Sequence, residues 1–212
     1  NKGDFNSETT KFEWNADNQL TRAISDEDTT VFDYRNGKLV AAYDGESQAD
    51  LVYDGSNTVP SRINLKEYGR NAGYVLITSS NGSVTKAEFY DEEDVMMQVV
   101  NATYDASNNV TAFKVEMYDE EGDSLTTFLE GSNILNDGKK NPYSESFAFV
   151  WLNIDNPVAL GASNVTSAQV AIATQNFPYS ATYTYNDNDY PLTSKVTFFI
   201  GNTDLTFTYD CK

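Results

Sequence analysis

Hydrophobic and polar residues alternate with a period of two along most of this chain. In the range 113–118, for example, Phe113, Val115 and Met117 occupy every second position, and charged residues and a tyrosine lie between them. This alternation is typical of a β-strand that buries one face and hydrates the other. The same pattern recurs from the first strand-like segment to the last, so the chain is predicted to be built of strands.

The strand-like segments are joined by a recurring phrase: an aromatic residue, a polar turn that contains Asp or Asn, and an apolar residue five to seven positions after the aromatic. Two turns of the chain, one inside such a phrase and one outside, contain Asn-Gly: Asn36-Gly37 and Asn81-Gly82. This pair is a strong hairpin signal because both residues accept a positive φ. The variable spacing predicts hairpins with turns of different length rather than a solenoid with a fixed period. The phrases are Trp14–Leu20, Tyr34–Leu39, Tyr53–Val59, Tyr90–Val95, Tyr104–Val110 and Tyr118–Leu125.

The recurring pattern of strands and turns is interrupted after Gly131. The polar range 133–140 is predicted to be a loop, and Pro142 predicts a turn at 141–143 because it moves the preceding residue out of the helical region. Beyond it, Phe147, Val150, Trp151 and Ile154 have helical spacing. A short helix or packed loop near 143–156 is therefore expected, acting as a plug over an open core or, in the alternative, as part of a ligand site.

Together these patterns predict an all-β fold, an antiparallel meander of twelve or more strands, each five to eight residues long. A sheet with so many strands must curl strongly or approach a barrel to manage its edges. We expect a flexible N-terminal lead-in at 1–11 and one domain at 12–212, with a less regular insertion at 131–166.

Charge narrows the range of partners. The 212 residues include 32 acidic and 14 basic side chains, a formal net charge of −18. Such a chain lacks the basic surface that neutralises a phosphate backbone, which argues against nucleic-acid binding. A cationic partner, a divalent ion or a neutral glycan remains compatible, and acidic turns also discourage pairing between sheet edges.

The chain contains no histidine and one cysteine, Cys211. Catalysis by Ser-His-Asp or Cys-His groups needs an imidazole, so neither is available to this chain. An internal disulfide is likewise impossible, and Cys211 is expected either to be a free thiol near the chain end or to pack on the last strand. No cofactor and no catalytic residue is predicted.

Four segments in the second half of the chain carry a resemblance to known proteins: 137–143, 163–166, 183–191 and 207–211. In their order and their endings they resemble a family of gut-bacterial exported lipoproteins of unknown function with a porin-like β fold. The aromatic-Asp hairpins are also similar to YD-type repeats of exported bacterial proteins. The resemblance implies an exported, outer-membrane-anchored, periplasmic or cell-surface protein, tethered through a lipidated cysteine upstream of Asn1. The predicted strands carry Lys, Glu, Gln and Thr on their outer faces and lack the lipid-facing apolar band of a membrane porin.

The expected activity is non-catalytic binding of a ligand or partner, with a glycan or an envelope protein as the partner. Trp14, Trp151 and Tyr190 are the candidate ligand residues, because exposed aromatic rings stack on sugars, although cross-strand packing is an alternative role. Asn186, Asp187 and Asp189 are weak calcium candidates with oxygen ligands in one turn. The alternative function is a carbohydrate-active enzyme that uses an Asp/Glu pair.

Overall fold

The structure, a computed structural model, describes residues 9–118, 124–144, 146–154, 156, 159–173, 175–199 and 201–209. Within these ranges the chain forms fifteen strands, a one-turn 3-10 helix at Pro142–Ser144 and a helix α1 at Phe147–Leu152. Residues 1–8, residues 119–123 and Cys211 lie outside them. The strands are β1 Lys11–Trp14, β2 Leu20–Ile24, β3 Thr29–Arg35, β4 Lys38–Tyr43, β5 Ser47–Val52, β6 Arg62–Glu67, β7 Arg70–Ser80, β8 Ser83–Tyr90, β9 Met96–Tyr104, β10 Val110–Tyr118, β11 Leu125–Lys140, β12 Ser163–Ile172, β13 Gln175–Tyr185, β14 Pro191–Phe198 and β15 Gly201–Thr206.

All fifteen strands belong to one sheet, and each pairs antiparallel with its neighbours in the chain, in the order β1 to β15. The predicted all-β antiparallel meander is therefore confirmed. Because successive strands run in opposite directions, consecutive connections lie at alternate ends of the sheet. We call the end that carries the β1–β2 turn and the β11–β12 connection the plug end. The opposite end, with the β2–β3, β4–β5, β6–β7 and β8–β9 turns, is called the acidic end.

The sheet curves strongly around α1. Nine strands lying side by side in a flat sheet would span about 40 Å, whereas a six-residue helix is about 9 Å long. Yet Phe149 of α1 packs on Phe12 of β1, and Trp151 and Leu152 share one cavity with residues of β3 to β7. Phe147 and Val150 share a second cavity with residues of β8 and β9. One short helix has neighbours on so many strands only if the sheet wraps around it.

The segment 141–162 is the plug: it leaves β11 at the plug end, runs into the concave side of the sheet and returns to β12. Ser146 caps α1, since its hydroxyl accepts the N–H of Ala148 at 3.2 Å. The buried side-chain amide of Asn141 donates to the carbonyls of Ala159 and Gly161, both at 2.8 Å, and so ties the two ends of the plug together. The predicted short non-strand segment near 143–156 is confirmed.

Aromatic rings fix the plug against both ends of the strand order. Phe149 is 4% exposed, and its ring lies 4.9 Å from that of Phe12 and 5.7 Å from that of Trp14, both on β1. Tyr143 lies 5.6 Å from Phe149 and 6.5 Å from Phe207, which follows β15. The first and last strands thus meet the same plug, and the described strand order ends at β1 and β15 without a pairing between them.

Two sequence predictions are wrong in detail. The range 133–140 is part of β11, a sixteen-residue strand, rather than a loop. This half of the strand is irregular, which is why its sequence lacks a strand pattern. Its pairing with β12 shifts register three times, and Asn133 and Gly138 have positive φ. Several strands are also longer than the expected five to eight residues: β7 and β13 have eleven residues each, and β11 has sixteen.

Candidate functional site

A cleft of about 310 Å³ opens at the acidic end, on the concave side of the sheet. Its floor is the last turn of α1, which contributes Trp151 and Leu152. Its walls come from β3 to β7, so residues far apart in sequence meet here only because the sheet curls. The wall residues are Thr30, Ala42, Tyr43, Asp44, Ser47, Gln48, Ala49, Leu65, Lys66, Glu67 and Ala72.

The β4–β5 turn, which forms one wall, is held by its own aspartate. The Oδ1 atom of Asp44 accepts the backbone N–H of Glu46 at 3.2 Å and that of Ser47 at 2.8 Å. Asp and Asn stabilise turns in this way because the short side chain reaches the backbone of the next residues. The turn therefore presents Tyr43 and Ser47 to the cleft from a fixed frame.

Polar groups of β5 and β6 are also positioned before any ligand arrives. Lys66 Nζ lies 2.6 Å from a carboxylate oxygen of Asp50, and the amide of Gln48 donates to the other oxygen at 2.6 Å. The hydrogen bond from Lys66 lowers the pKa of the Asp50 carboxyl, which outweighs the opposite effect of partial burial. Gln48, Asp50 and Lys66 alternate with the core-facing residues Ala49 and Leu65, so this network lies on the outer face of the strands that form the wall and braces β5 against β6.

Acidic residues dominate the turns around this cleft. The four described turns of the acidic end and the strand residues beside them contain one basic residue, Arg70, against many carboxylates. These are Asp26, Glu27, Asp28, Asp44, Glu46, Glu67, Asp91, Glu92, Glu93 and Asp94. The potential at the mouth of the cleft is therefore negative.

The three aromatic candidates lie in three separate places. Trp151 lines the cleft. Trp14 is 42% exposed at the end of β1, where its ring contacts that of Phe149. Tyr190, at the β13–β14 turn, lies 5.5 Å from the ring of Tyr209, with Lys140 Nζ 4.4 Å from its ring centre.

The three calcium candidates form a hairpin turn whose oxygens already have partners. Asn186 Oδ1 accepts the N–H of Asn188 at 3.0 Å and of Tyr190 at 3.1 Å. A carboxylate oxygen of Asp189 lies 2.5 Å from Lys139 Nζ, and Asp187 is exposed between them. In the ranges described above, no three His, Cys, Asp or Glu side chains are grouped as a metal site would require.

Sequence reasoning missed most of the cleft wall, including Tyr43, Gln48, Lys66 and Glu67. The phrase Tyr43-Asp44-Gly45-Glu46 carries the aromatic-Asp signal, but its turn is shorter than the other aromatic-Asp turns and was not recognised. A local pattern also cannot show that a helix 100 residues later will cover these strands.

A second, smaller cavity of about 160 Å³ lies at the plug end, between the β7–β8 turn and the plug. Tyr104 and Val84 line it, but the Tyr104 hydroxyl is already bonded to the Val84 carbonyl at 2.8 Å. This cavity has about half the volume of the cleft at the acidic end and so leaves less room for a ligand. Across the described ranges, no helical segment has the length and apolar character that a membrane crossing requires.

Comparison with known proteins identifies the fold. No protein family and no curated protein matches the chain. Among solved structures, the chain is similar to a porin-like protein from Bacteroides uniformis, with a TM-score of 0.61 and 9% identity over 94% of this chain and 86% of that one. A porin-like protein from Bacteroides vulgatus also matches, with a TM-score of 0.49 and 9% identity over 92% of this chain and 89% of that one. The likeness to the first of these shows that the fold is porin-like.

Proposed function

We propose that this chain is a non-catalytic binding protein of the bacterial envelope and that its ligand is a glycan held in the cleft at the acidic end. The observation that carries the proposal is the composition of the cleft. An indole ring, Trp151, forms the floor, and polar side chains that share the core-facing side of their strands, Thr30, Ser47 and Glu67, stand on the walls.

This combination suits a sugar. A sugar ring has an apolar face that stacks on an aromatic side chain and hydroxyl groups that need directed hydrogen-bond partners. The volume of about 310 Å³ is at the lower end of the range for small-molecule sites, roughly 300–1,000 Å³. It accommodates one or two sugar rings, with the rest of a chain extending out of the mouth.

The carboxylates near the cleft support binding rather than hydrolysis. A glycosidase needs a general acid with a raised pKa and a second carboxylate facing it. Asp50 instead pairs with Lys66, which lowers its pKa, and Asp44 accepts two backbone N–H groups of its own turn. Asp44 is thus used to build one wall and Asp50 lies on the outer face of β5, which leaves Glu67 as the other carboxylate in the lining of the cleft.

Two resemblances support the envelope location. The fold is similar to that of the porin-like protein from Bacteroides uniformis. The segments quoted above also resemble exported lipoproteins of unknown function with YD-type hairpins, which implies a lipid anchor upstream of Asn1. Palmitate labelling and fractionation of cells that express the full gene test the anchor, and an unlabelled cytoplasmic product contradicts it.

The glycan is tested by differential scanning fluorimetry with a panel of neutral oligosaccharides: cellohexaose, mannohexaose, xylohexaose and chitohexaose. A ligand that binds the folded state raises its melting temperature, and the rise grows with ligand concentration. The chain has two tryptophans, so Trp14→Phe leaves Trp151 as the sole reporter. We expect a panel member to raise the melting temperature and to change Trp151 fluorescence in this variant.

Trp151→Phe and Trp14→Phe form a matched pair, because both lose an indole and only Trp151 lines the cleft. Loss of the thermal shift in the first variant and its retention in the second supports the cleft. Equal loss in both, or no shift with any member of the panel, counts against glycan binding. Repeating the measurement with calcium and with EDTA tests Asn186, Asp187 and Asp189 at the same time.

A further inference from the structure

Three hairpins of the sheet end in the same two-residue turn, in which a residue with positive φ precedes a glycine. The turn residues are Asn36-Gly37, Asn81-Gly82 and Tyr68-Gly69. The first residue has a φ of 51°, 52° and 50° respectively, so the three turns share nearly the same φ at this position. Two of the three turns use asparagine there, and the third uses tyrosine.

Tyrosine is a poor choice for this backbone. Left-handed φ is tolerated by Asn, Asp and Gly, whereas a bulky side chain clashes with its own backbone there. Asn-Gly is accordingly a preferred pair for such turns. The chain shows that asparagine suits this geometry at two sites, so Tyr68 keeps a less favourable backbone where a better residue was available.

The position of Tyr68 shows what this side chain offers. It lies in the β6–β7 turn at the acidic end, directly after Glu67, which lines the cleft. Its side chain is 68% exposed, the highest value among the exposed large hydrophobic residues of the described chain. A phenol ring at this place adds an exposed aromatic surface beside Glu67, at the edge of the cleft.

The ring is also held in place. The Tyr68 hydroxyl donates to a carboxylate oxygen of Glu46 at 2.6 Å, and the Tyr68 N–H donates to the Glu46 carbonyl at 2.7 Å. Glu46 belongs to the β4–β5 turn, which forms another wall of the cleft. An exposed ring that is fixed in this way loses little conformational freedom when a ligand arrives.

We propose that Tyr68 is a ligand-contacting residue that stacks on the part of the glycan extending out of the cleft, and so determines which chain lengths bind well. Unfavourable backbone at an exposed residue persists where function needs it. The inference rests on the proposed glycan function, because it assigns Tyr68 to the same ligand as Trp151. It adds a second aromatic contact, at the rim.

Tyr68→Asn separates this role from a structural one. A structural tyrosine would lower stability when removed, whereas we expect Tyr68→Asn to raise the urea midpoint, since it restores the residue used in the two sister turns. The same variant is expected to weaken binding of the oligosaccharide that shifts the wild type most by at least fivefold. Its effect on the corresponding disaccharide should be less than twofold, because a disaccharide does not reach the rim.

Two further variants complete the design. Tyr68→Phe keeps the ring and loses the bond to Glu46, so binding should stay within twofold while the urea midpoint falls. Asn81→Tyr places a tyrosine in the identical turn at the plug end, and it should lower the midpoint without changing binding.

The outcomes distinguish the two proposals. A fall in midpoint for Tyr68→Asn, or full-strength hexasaccharide binding by this variant while Trp151→Phe loses it, overturns the role of Tyr68 and leaves the cleft intact. If no oligosaccharide binds the wild type, the glycan function fails and the assignment of Tyr68 fails with it.

Discussion

At the scale of single residues, four hairpin turns have the same pattern of hydrogen bonds. In each, the Oδ1 atom of an Asp or Asn accepts the backbone N–H groups two and four positions later, at 2.8 to 3.1 Å. The third residue after this Asp or Asn has positive φ in all four turns. The acidic clusters of the sequence are therefore in part turn-forming residues, which explains why they follow aromatic strand ends. The four residues are Asn15, Asp91, Asp105 and Asn186.

Four tyrosines at the plug end form a second repeated contact. Each of the four donates its hydroxyl to a carbonyl near the start of the preceding even-numbered strand, and so links two neighbouring strands. The pairs are Tyr53 with Leu39 at 2.8 Å, Tyr104 with Val84 at 2.8 Å, Tyr183 with Val165 at 3.2 Å and Tyr209 with Pro191 at 2.8 Å. Burial raises the pKa of Tyr53 and of Tyr104 from 10.0 to about 12.

These tyrosines predict an alkaline limit to stability. A folded-state pKa above the unfolded value means that the neutral hydroxyl contributes stability fully below pH 10, and that this contribution is lost as pH rises toward 12. Tyr104→Phe should lower the free energy of unfolding at neutral pH by about 1 kcal/mol, the worth of one hydrogen bond. Its stability should then decline less steeply than that of the wild type between pH 10 and 12.

Urea unfolding at a series of pH values measures both effects, and tyrosinate absorbance follows the titration directly. Tyr43→Phe is the control, since it removes an exposed hydroxyl at the other end of the sheet. Parallel alkaline profiles for wild type and Tyr104→Phe would show that the buried hydroxyl does not limit stability.

At the level of elements, the sequence predicts what is local and misses what is distant. Alternation and turn residues predict most of the hairpins, because strand, turn and strand are contiguous. Helical spacing likewise predicts α1 near 143–156. The cleft could not be foreseen, since Trp151 meets the wall around Tyr43 through contacts that join residues about 100 positions apart. The irregular half of β11 was missed for a related reason: its bulges depend on the pairing with β12, not on its own composition.

The packing of the plug gives a prediction for one element. Phe149→Ala removes the ring that lies against Phe12, Trp14 and Tyr143, in a site with little room to relax. Truncation of a buried phenylalanine costs about 3–5 kcal/mol, so the urea midpoint should fall sharply and thermal unfolding should broaden. Phe199→Ala is the matched control, because that ring is 52% exposed and should change the stability by less than about 1 kcal/mol.

A small effect of Phe149→Ala would mean that the sheet holds its curvature without the plug. Near-ultraviolet circular dichroism, which reports aromatic packing, distinguishes the cases: the variant should lose aromatic signal while far-ultraviolet strand signal remains.

At the level of the whole molecule, charge and polarity differ between the faces of the sheet. The concave face is apolar and packed against the plug. On the other face, Lys86 pairs with Glu88 at 2.7 Å and Lys114 pairs with Glu116 at 2.6 Å, each alternating with buried residues of the same strand. A hydrocarbon environment penalises such side chains by several kcal/mol each, so these positions on β8 and β10 favour contact with water.

The excess of carboxylates at the mouth of the cleft should weaken the binding of anionic ligands relative to neutral ones. Exposed carboxylates interact with a charged sugar over about one Debye length, roughly 10 Å at 0.1 M salt. Mannohexaose and the corresponding β-linked hexamannuronate differ chiefly in the carboxylates of the second, and isothermal titration calorimetry compares their affinities. If mannohexaose is a ligand, its affinity should be independent of salt, whereas hexamannuronate should bind more weakly by at least tenfold at low salt and recover part of the loss at high salt. The double variant Glu67→Gln with Glu92→Gln should narrow the difference in affinity between the two oligosaccharides. Tighter binding of the uronate than of mannohexaose at low salt would contradict electrostatic selection at the acidic end.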